Sequence, residues 1–497
     1  MIRLSNRHLL FGVVSLALLT SSMQFSMVSV AIPDLIEDLD APLAWVGWVV
    51  TVYTVMQAVS MPIAGKLSDE LGRRVVFLAG IALFGAASFV CAIAPNVWLL
   101  IVGRAVQGLA GGSLLPSAYG IVGDAFPENR MQALGLISSI FPVGSILGPN
   151  LGGVIVDSVG WRWTFALNVP LVAVVIGVGF LLMAPSARRQ TNRIDFAGAF
   201  LMAAAVISLV YALTELGQQG RSPNLFVVAT GFVVAAAVAA WFLRHEQRTR
   251  SPIVDLALLR RREFAFVNTL NFFYGVVVFG VFSFIPLYAS SAYGMSSGES
   301  GLLLTPRAVV MVVVSTVASV VLPRSGYRKP IIGGLLVMAA GMILLSLELH
   351  EVTIGGVVLS EFTVLATIIA VAGLGLGLAG PAANNAAIEL APDRIAAITG
   401  MRGMFRSLGG AIGVALIVLI TSTASNTEDG LAAAFVGLSV LTVLTSLLVL
   451  GIPDRSTPLS VAPQPQVPQQ PQDWVRIRGS SEHDPVPAQR EEPNEPI

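Results

Sequence analysis

The chain has 497 residues, 55% of them apolar and only 12% charged, with no net formal charge and a mean hydropathy of +0.79. A soluble domain of this size needs far more charge to cover its surface, so the composition indicates a polytopic membrane protein. The one cysteine, Cys91, lies in an apolar run, which excludes an internal disulfide framework.

Arg3 and Arg7 precede an apolar run over 9–32. That run is too long for a signal-peptide core and shows no clear small-residue cleavage site, so it reads as an uncleaved first spanning helix. Further runs of bilayer length fall at 43–65, 75–94, 97–123, 133–157, 163–184, 196–215, 224–243, 264–289, 299–323, 331–349, 359–388, 399–422 and 431–452, fourteen in all. With the N-terminus cytoplasmic, the inside segments up to residue 455 carry twenty Lys and Arg residues, whereas the outside loops hold only Arg162 and Arg221. The positive-inside rule therefore places both termini in the cytoplasm. The outer loop 33–42 is the inverse, with Asp34, Glu37, Asp38 and Asp40 and no base. Trp45 and Trp48 follow it as an interfacial aromatic anchor would. Residues 453–497, with ten prolines and several glutamines, lack the large apolar groups of a core and read as a disordered cytosolic tail.

The stretch between the second and third spans, Gly65-Lys66-Leu67-Ser68-Asp69-Glu70-Leu71-Gly72-Arg73-Arg74, packs five charges into ten residues. Charge is costly in hydrocarbon, so this is a tight loop outside the bilayer, turned at Gly65 and Gly72. Gly326-Tyr327-Arg328-Lys329 repeats it between the tenth and eleventh spans, with Pro323 where the acid Asp69 would align. Arg104, by contrast, lies about two turns inside the fourth span, where a charge costs ~2.5–3.5 kcal/mol on insertion scales. It either faces a watery cavity or a partner, or snorkels to the interface. Gln107, Gly108 and Gly111 share its helical face. Gly144, Gly148 and Gly152 recur every four residues and form a flat ridge on the fifth span, with Pro149 among them. Close packing alone accounts for such a ridge.

With those residues in view, the 65–74 loop resembles the loop motif of the major facilitator superfamily, and the span count resembles its drug:proton antiporter branch with two extra central helices. Arg104-Ala105-Val106-Gln107-Gly108 is similar to that branch's arginine motif, and Gly144 through Gly153 to its antiporter motif. Trp161-Arg162-Trp163-Thr164-Phe165 with Asn168-Val169-Pro170 is similar to the entry to its sixth helix. The resemblance covers 1–452. It implies an all-α polytopic membrane protein with the major facilitator fold, 14 transmembrane helices arranged 6 + 2 + 6, and cytoplasmic termini. The halves would be 1–190 and 263–452, joined by two extra helices and a linker over 191–262, with the tail at 453–497.

The resemblance further implies a proton-coupled exporter of drugs or other amphipathic small molecules in the plasma membrane of a bacterium, working by alternating access. Lipid is its surroundings, and a monomer without nucleic-acid partners is expected. Gating would involve Gly65, Asp69, Gly72, Arg73 and Arg74, the ridge of Gly144, Gly148, Pro149 and Gly152 sealing the outer side, and the start of the thirteenth span near Arg402 and Arg406. Asp69 would latch there, although both arginines also suit an interfacial position. Where the branch usually has an aspartate in the first span, this chain has Gln24, which carries no proton.

Replacement acids would be Glu361 or Glu215, each equally at home at the interface. Arg307 is a second cavity candidate. Tyr53 and Gln57, Asn268 and Asn271, and Asn384 with Asn385 are polar residues for either the substrate path or interhelical bonds. Arginines without a central acid lean toward an anionic or neutral substrate. A dedicated exporter of a lipid, siderophore or secondary metabolite, and a non-transporting membrane sensor, are the alternatives. No phosphate-binding loop or enzymatic constellation occurs, and His8, His245, His350 and His483 are scattered, so no enzyme activity, cofactor or metal is expected. Asp69→Asn should lower transport in reconstituted vesicles while leaving the protein folded and inserted; unchanged transport would remove the latch role.

Overall fold

The computed structural model describes residues 4–183, 194–217, 223–249, 252–254, 256–390, 395–452 and 454. The tail expected at 453–497 lies outside the described residues apart from Asp454, as does the side chain of Asp69. The first set of helices is α1 (Leu4–Val30), α2 (Ile32–Asp38), α3 (Leu43–Leu71), α4 (Arg73–Ala92), α5 (Val97–Ala125), α6 (Arg130–Val159), α7 (Arg162–Ala166) and α8 (Asn168–Leu182). Two helices follow, α9 (Phe196–Leu216) and α10 (Leu225–Arg248), then the short α11 (Leu256–Leu259). The second set is α12 (Arg262–Tyr293), α13 (Ser297–Leu303), α14 (Thr305–Ser325), α15 (Arg328–Leu345), α16 (Glu361–Glu389), α17 (Ile395–Thr423) and α18 (Thr427–Leu448).

Each predicted span falls on helix, and thirteen helical segments among the described residues are long and apolar enough to cross a membrane. The other predicted span, the fifth, is α6, 30 residues long. Helices satisfy their own backbone groups, which is why apolar runs in lipid adopt them. Their polar ends are capped: Asn96 accepts from Leu99 N, Asn426 from Asp429 N, and Ser296 forms a reciprocal capping box with Glu299. The all-α expectation needs one small correction. Between α15 and α16 a two-residue turn, Gly355-Gly356, joins β1 (Thr353–Ile354) to β2 (Val357–Val358) as an antiparallel ribbon. This short segment lies outside the apolar runs, where only a glycine pair marks the turn.

Within the first set, α3 and α4 pack on α5, and α1 on α6; within the second, α12 packs on α17, and α14 and α15 on α16. Glycine permits these approaches. A Cβ on Gly108 would fall 2.4 Å from the Tyr53 carbonyl oxygen, and one on Gly409 would fall 2.0 Å from that of Phe272. The inserted α9 leans on α3 and α17. There Trp48 Nε1 donates to Thr214 Oγ1 at 2.9 Å. Trp48 is thus buried rather than an anchor in the interface, because α9 covers its face.

The 65–74 stretch is helical to Leu71 and turns at Gly72 alone, not at Gly65 as expected, and its turn and that at Gly326 make matching contacts. Gly72 and Gly326 both take positive φ, +99° and +71°, a turn that favours glycine. The residue after each reaches an acid at the end of the fourth long helix of its own set, α5 or α16: Arg73 bonds Asp124, and Tyr327 donates to Glu389. The next residue reaches the closing helix of its set. Arg74 donates to the Phe180 carbonyl at 3.0 Å, and Arg328 to those of Leu450 and Ile452 at 3.0 and 2.7 Å. A cation held at carbonyls that end a helix is favoured by the dipole. Gly108→Ala and Gly409→Ala should each cost about 1–3 kcal/mol by overpacking. Thermal unfolding of the detergent-purified protein checks this, with Gly437→Ala, whose Cβ would meet nothing within 4 Å, as the neutral control.

Candidate functional site

The buried arginines divide into two kinds. Arg104 on α5 is fully sealed, at 0% exposure. Its Nε donates to the Val49 carbonyl at 2.8 Å and its Nη1 to Gln107 Oε1 at 2.6 Å, and Gln107 in turn donates to Ser88 Oγ at 2.7 Å. The guanidinium carbon sits 4.1 Å from the Tyr53 ring centroid, a cation–π contact worth ~2 kcal/mol when desolvated. Arg104 therefore ties α3, α4 and α5 together, and in this conformation it lines no opening. Its Nη2 has no partner. Gln24, at the position usually held by an acid, is equally sealed; its Oε1 accepts from Asn168 Nδ2 at 2.6 Å, pinning α1 to the start of α8. Tyr53 and Gln57 are buried beside it, linked by a 3.4 Å bond.

The second set carries Arg307, Arg402 and Arg406, each half-buried rather than sealed. Arg402 donates to Asn384 Oδ1 and, at 3.1 Å, to Asn271 Oδ1. Its guanidinium is thus aimed at α16 and α12; the side chain of Asp69, expected to latch near it in the outward-facing state, lies outside the described residues. Arg307 lies with its guanidinium carbon 4.0 Å from the Phe282 ring centroid, and Arg406 with its own 5.7 Å from that of Phe279. Neither meets a protein hydrogen-bond acceptor among the described residues, and the Nε atoms of all three arginines are buried without partners. A buried donor left unmade costs ~1–3 kcal/mol, so a fold that keeps three such groups together has a use for them. Tyr274 stands on α12 three residues from Asn271, which holds Arg402, and next to Gly275, whose Cβ would meet the Arg406 carbonyl oxygen at 1.9 Å. The sequence placed the arginines but not Tyr274, Phe279 and Phe282, whose aromatic types are unexceptional in a span. Asn268 bonds its own helix at the Phe264 carbonyl, 2.9 Å away, and Asn385 is half-buried beside Asn384.

Glu361 requires a correction. It pairs with His350 Nδ1 at 2.8 Å, with 42% of its side chain exposed, at the end of the bundle bearing loop 33–42. It bonds no arginine among the described residues, because it is the first residue of α16 and sits at the closed end. Glu215 is buried at the same end of α9. Among the described residues no acid occupies the middle of a span.

The two sets meet from the middle toward that same end. Phe25 on α1 packs edge-on against Phe279 at 5.3 Å, and Phe25 also lies 5.7 Å from Tyr53. Nearer the end, Cβ positions on Gly47, Gly153 and Gly301 would fall 2.7 Å from Val418 Cγ2, 2.4 Å from the Ser297 carbonyl oxygen and 2.2 Å from that of Pro149. Thr305 donates to Asn150 Oδ1 at 2.7 Å, Ser297 to Asp34 at 3.1 Å, and Gly298 N to Asp157 at 2.8 Å. The fifth span, α6, lies between the two sets as expected, but of the residues named on it Pro149 meets the other set while the three glycines serve close packing. Gly144, Gly148 and Gly152 lie on Ser22, Ser26 and Met27 of α1, in the same set. The seal is made by the neighbouring face of α6, at Pro149, Asn150, Gly153 and Asp157. Toward the opposite end α3 and α17 still touch but less closely: a Cβ on Gly403 would meet Met61 at 4.0 Å, and one on Gly65 would meet Pro116 of its own set, also at 4.0 Å.

Two acids at the closed end differ in state. Arg162 and Trp161 donate to Asp38, which holds its carboxyl below the usual range. Asp34 is pushed up by burial, opposed by the Ser297 hydroxyl, with Asp157 and Glu37 adding to the rise.

The model of the Major Facilitator Superfamily matches residues 14–413 and 267–482. The multidrug transporter protein MdtP of Bacillus subtilis (strain 168) is 33% identical over 426 residues, 85% of this chain and 76% of the relative. The methylenomycin A resistance protein of Streptomyces coelicolor (strain ATCC BAA-471 / A3(2) / M145) is 30% identical over 448 residues, 89% and 92% of the two chains. Among solved structures, the inward open conformation of the xylose transporter XylE from E. coli aligns at a TM-score of 0.61 with 13% identity, over 91% and 97% of the chains, a likeness of fold.

Arg104→Ala strands the Val49 and Gln107 acceptors and should cost about 2 kcal/mol or more. Arg307→Ala strands none and should be neutral or stabilising, as thermal unfolding will read. Burial, opposed by the Ser297 bond across the sets, holds the Asp34 carboxyl above its value in water, so a closed form that buries Asp34 more than the open one binds the proton more tightly and acidification favours it. Spin-label distances between α1 and α13 should shorten as pH falls from neutral toward that raised value. In Asp34→Asn they should be independent of pH.

Proposed function

The chain belongs to the major facilitator superfamily, and on that premise we propose that it is a secondary active exporter of drugs or other amphipathic small molecules. Fourteen spans cross the membrane with both termini cytoplasmic, and the halves 1–190 and 263–452 rock about a midplane cavity. The observation that carries this reading is the tighter closure at one end: the halves are zipped together from Phe25–Phe279 to the acidic loop, with Arg307 within that stretch against Phe282, while the half-buried Arg402 and Arg406 lie on the far side of it. On the positive-inside assignment the closed end is outside, so this is the inward-facing stage, ready to load from the cytoplasm. Relatives named for multidrug transport and for antibiotic resistance support the exporter direction.

Proton entry drives the cycle in this reading. Because no described acid lies at mid-span, the coupling proton is carried by a group nearer the ends or by the substrate. A dedicated exporter of one secondary metabolite is the second reading, favoured by Gln24, which is locked to Asn168 where a titrating acid is usual.

Inverted membrane vesicles containing the protein should accumulate fluorescent substrates when an inward-acid gradient is imposed, and lose them when it is collapsed. Accumulation that ignores the gradient would remove proton coupling; no accumulation of any compound would remove the exporter.

A further inference from the structure

The arginine cluster of the second set is chemically unlike the rest of the interior. Arg104 on the other side of the zipper is sealed and bonded to Val49 and Gln107. Arg307, Arg402 and Arg406 are half-buried, and each has its Nε shut away without an acceptor. They come from two helices, α14 and α17. Arg402 and Arg406 are four residues apart, so they stand on one face of α17 about 6 Å apart along its axis. Asn271 and Asn384 hold Arg402 from α12 and α16, which fixes its fork without neutralising it. Cations collected in a low-dielectric space with no counter-ion repel one another, and their repulsion is relieved only by an anion.

The neighbours set the rest of that anion's character. Phe279 and Phe282 lie against the faces of Arg406 and Arg307, which orients those guanidinium groups and places flat apolar surface beside them. Tyr274, half-buried on α12 between Asn271 and Phe279, can donate its hydroxyl to an oxyanion. Such a lining suits a molecule with an aromatic or aliphatic body and one or two carboxylate or sulfonate groups. It disfavours an organic cation, which would meet three like charges and no acid.

We propose that Arg307, Arg402 and Arg406, with Tyr274, Phe279 and Phe282, form the substrate site and that it takes amphipathic organic anions. This rests on the exporter reading above and narrows it. Arg307 and Arg406 are the primary contacts, since neither has a protein hydrogen-bond acceptor among the described residues, and Arg402 is positioned by its two asparagines as the third.

The test is direct binding, separate from transport. Full-length protein in lipid nanodiscs is titrated with carboxyfluorescein and with ethidium, followed by fluorescence anisotropy. Carboxyfluorescein should bind the wild type at least tenfold more tightly than ethidium. Arg307→Gln and Arg406→Gln should each weaken it at least tenfold. Arg406→Lys should recover part of the loss, and Arg162→Gln, outside the cluster, should leave binding unchanged.

All variants are compared as monodisperse protein, and the lysine variant keeps the charge should glutamine disturb folding. Equal carboxyfluorescein affinity in wild type and both glutamine variants overturns the site. So does displacement of the dye by physiological chloride with no rescue by lysine, which would make it a site for inorganic anions only. Proteoliposome transport of the two dyes separates the two readings. Arginine-dependent binding without transport keeps the site and removes the exporter. Ethidium transport without arginine-dependent anion binding keeps the exporter and removes the site.

Discussion

A guanidinium in a membrane interior must find acceptors, rings or water, and much of this protein is arranged around how its arginines meet that requirement. Insertion alone costs ~2.5–3.5 kcal/mol for each at mid-span. Arg104 meets the cost with a carbonyl, an amide oxygen and the face of Tyr53, and in doing so clamps three helices. Arg73, Arg74 and Arg328, in the loops outside the bilayer, escape it and hold helix ends, where acids and free carbonyls collect. Arg307 and Arg406 meet it only in part, with rings but no acceptors. The same residue type therefore acts as a rivet, a loop anchor and an open binding group, according to what surrounds it.

Small residues determine where those surroundings can form. Backbone-to-backbone approaches at Gly108, Gly409, Gly413 and Gly275 leave no room for a methyl group, so the paired helices are fixed in rotation about one another. That rotation decides which arginines face inward. Between the two sets, Gly47, Gly153 and Gly301 allow the same closeness at one end only. The contacts there are a short hydroxyl bond, an amide on a carboxylate and an aromatic edge, none of them a buried ion pair. Such contacts are individually modest, which suits a junction that has to open in each cycle.

The paired loops carry the evidence of duplication furthest. Arg74 and Arg328 have kept the same residue type and the same task at the closing helix of their sets, whereas Arg73 and Tyr327 keep the task with different chemistry. An acid at the end of the fourth long helix of each set accepts from either. The repeat is therefore conserved as a set of contacts more faithfully than as a string of letters.

The sequence by itself determined the number and order of apolar runs, the charged loops, the echo at Gly326 and the family resemblance, because each depends on local composition measured against bilayer thickness. It also located every arginine in a span. It could not decide which of them were neutralised, since the acceptors lie far off along the chain: Val49 for Arg104 and Asn271 for Arg402. Glu361 and the 144–152 ridge show the same limit. Glu361 pairs with His350 rather than with an arginine, and the glycines of α6 face α1 while Pro149 and Gly153 face α13. Only the tertiary packing sets those orientations, because they follow from which small residues on neighbouring helices come into contact.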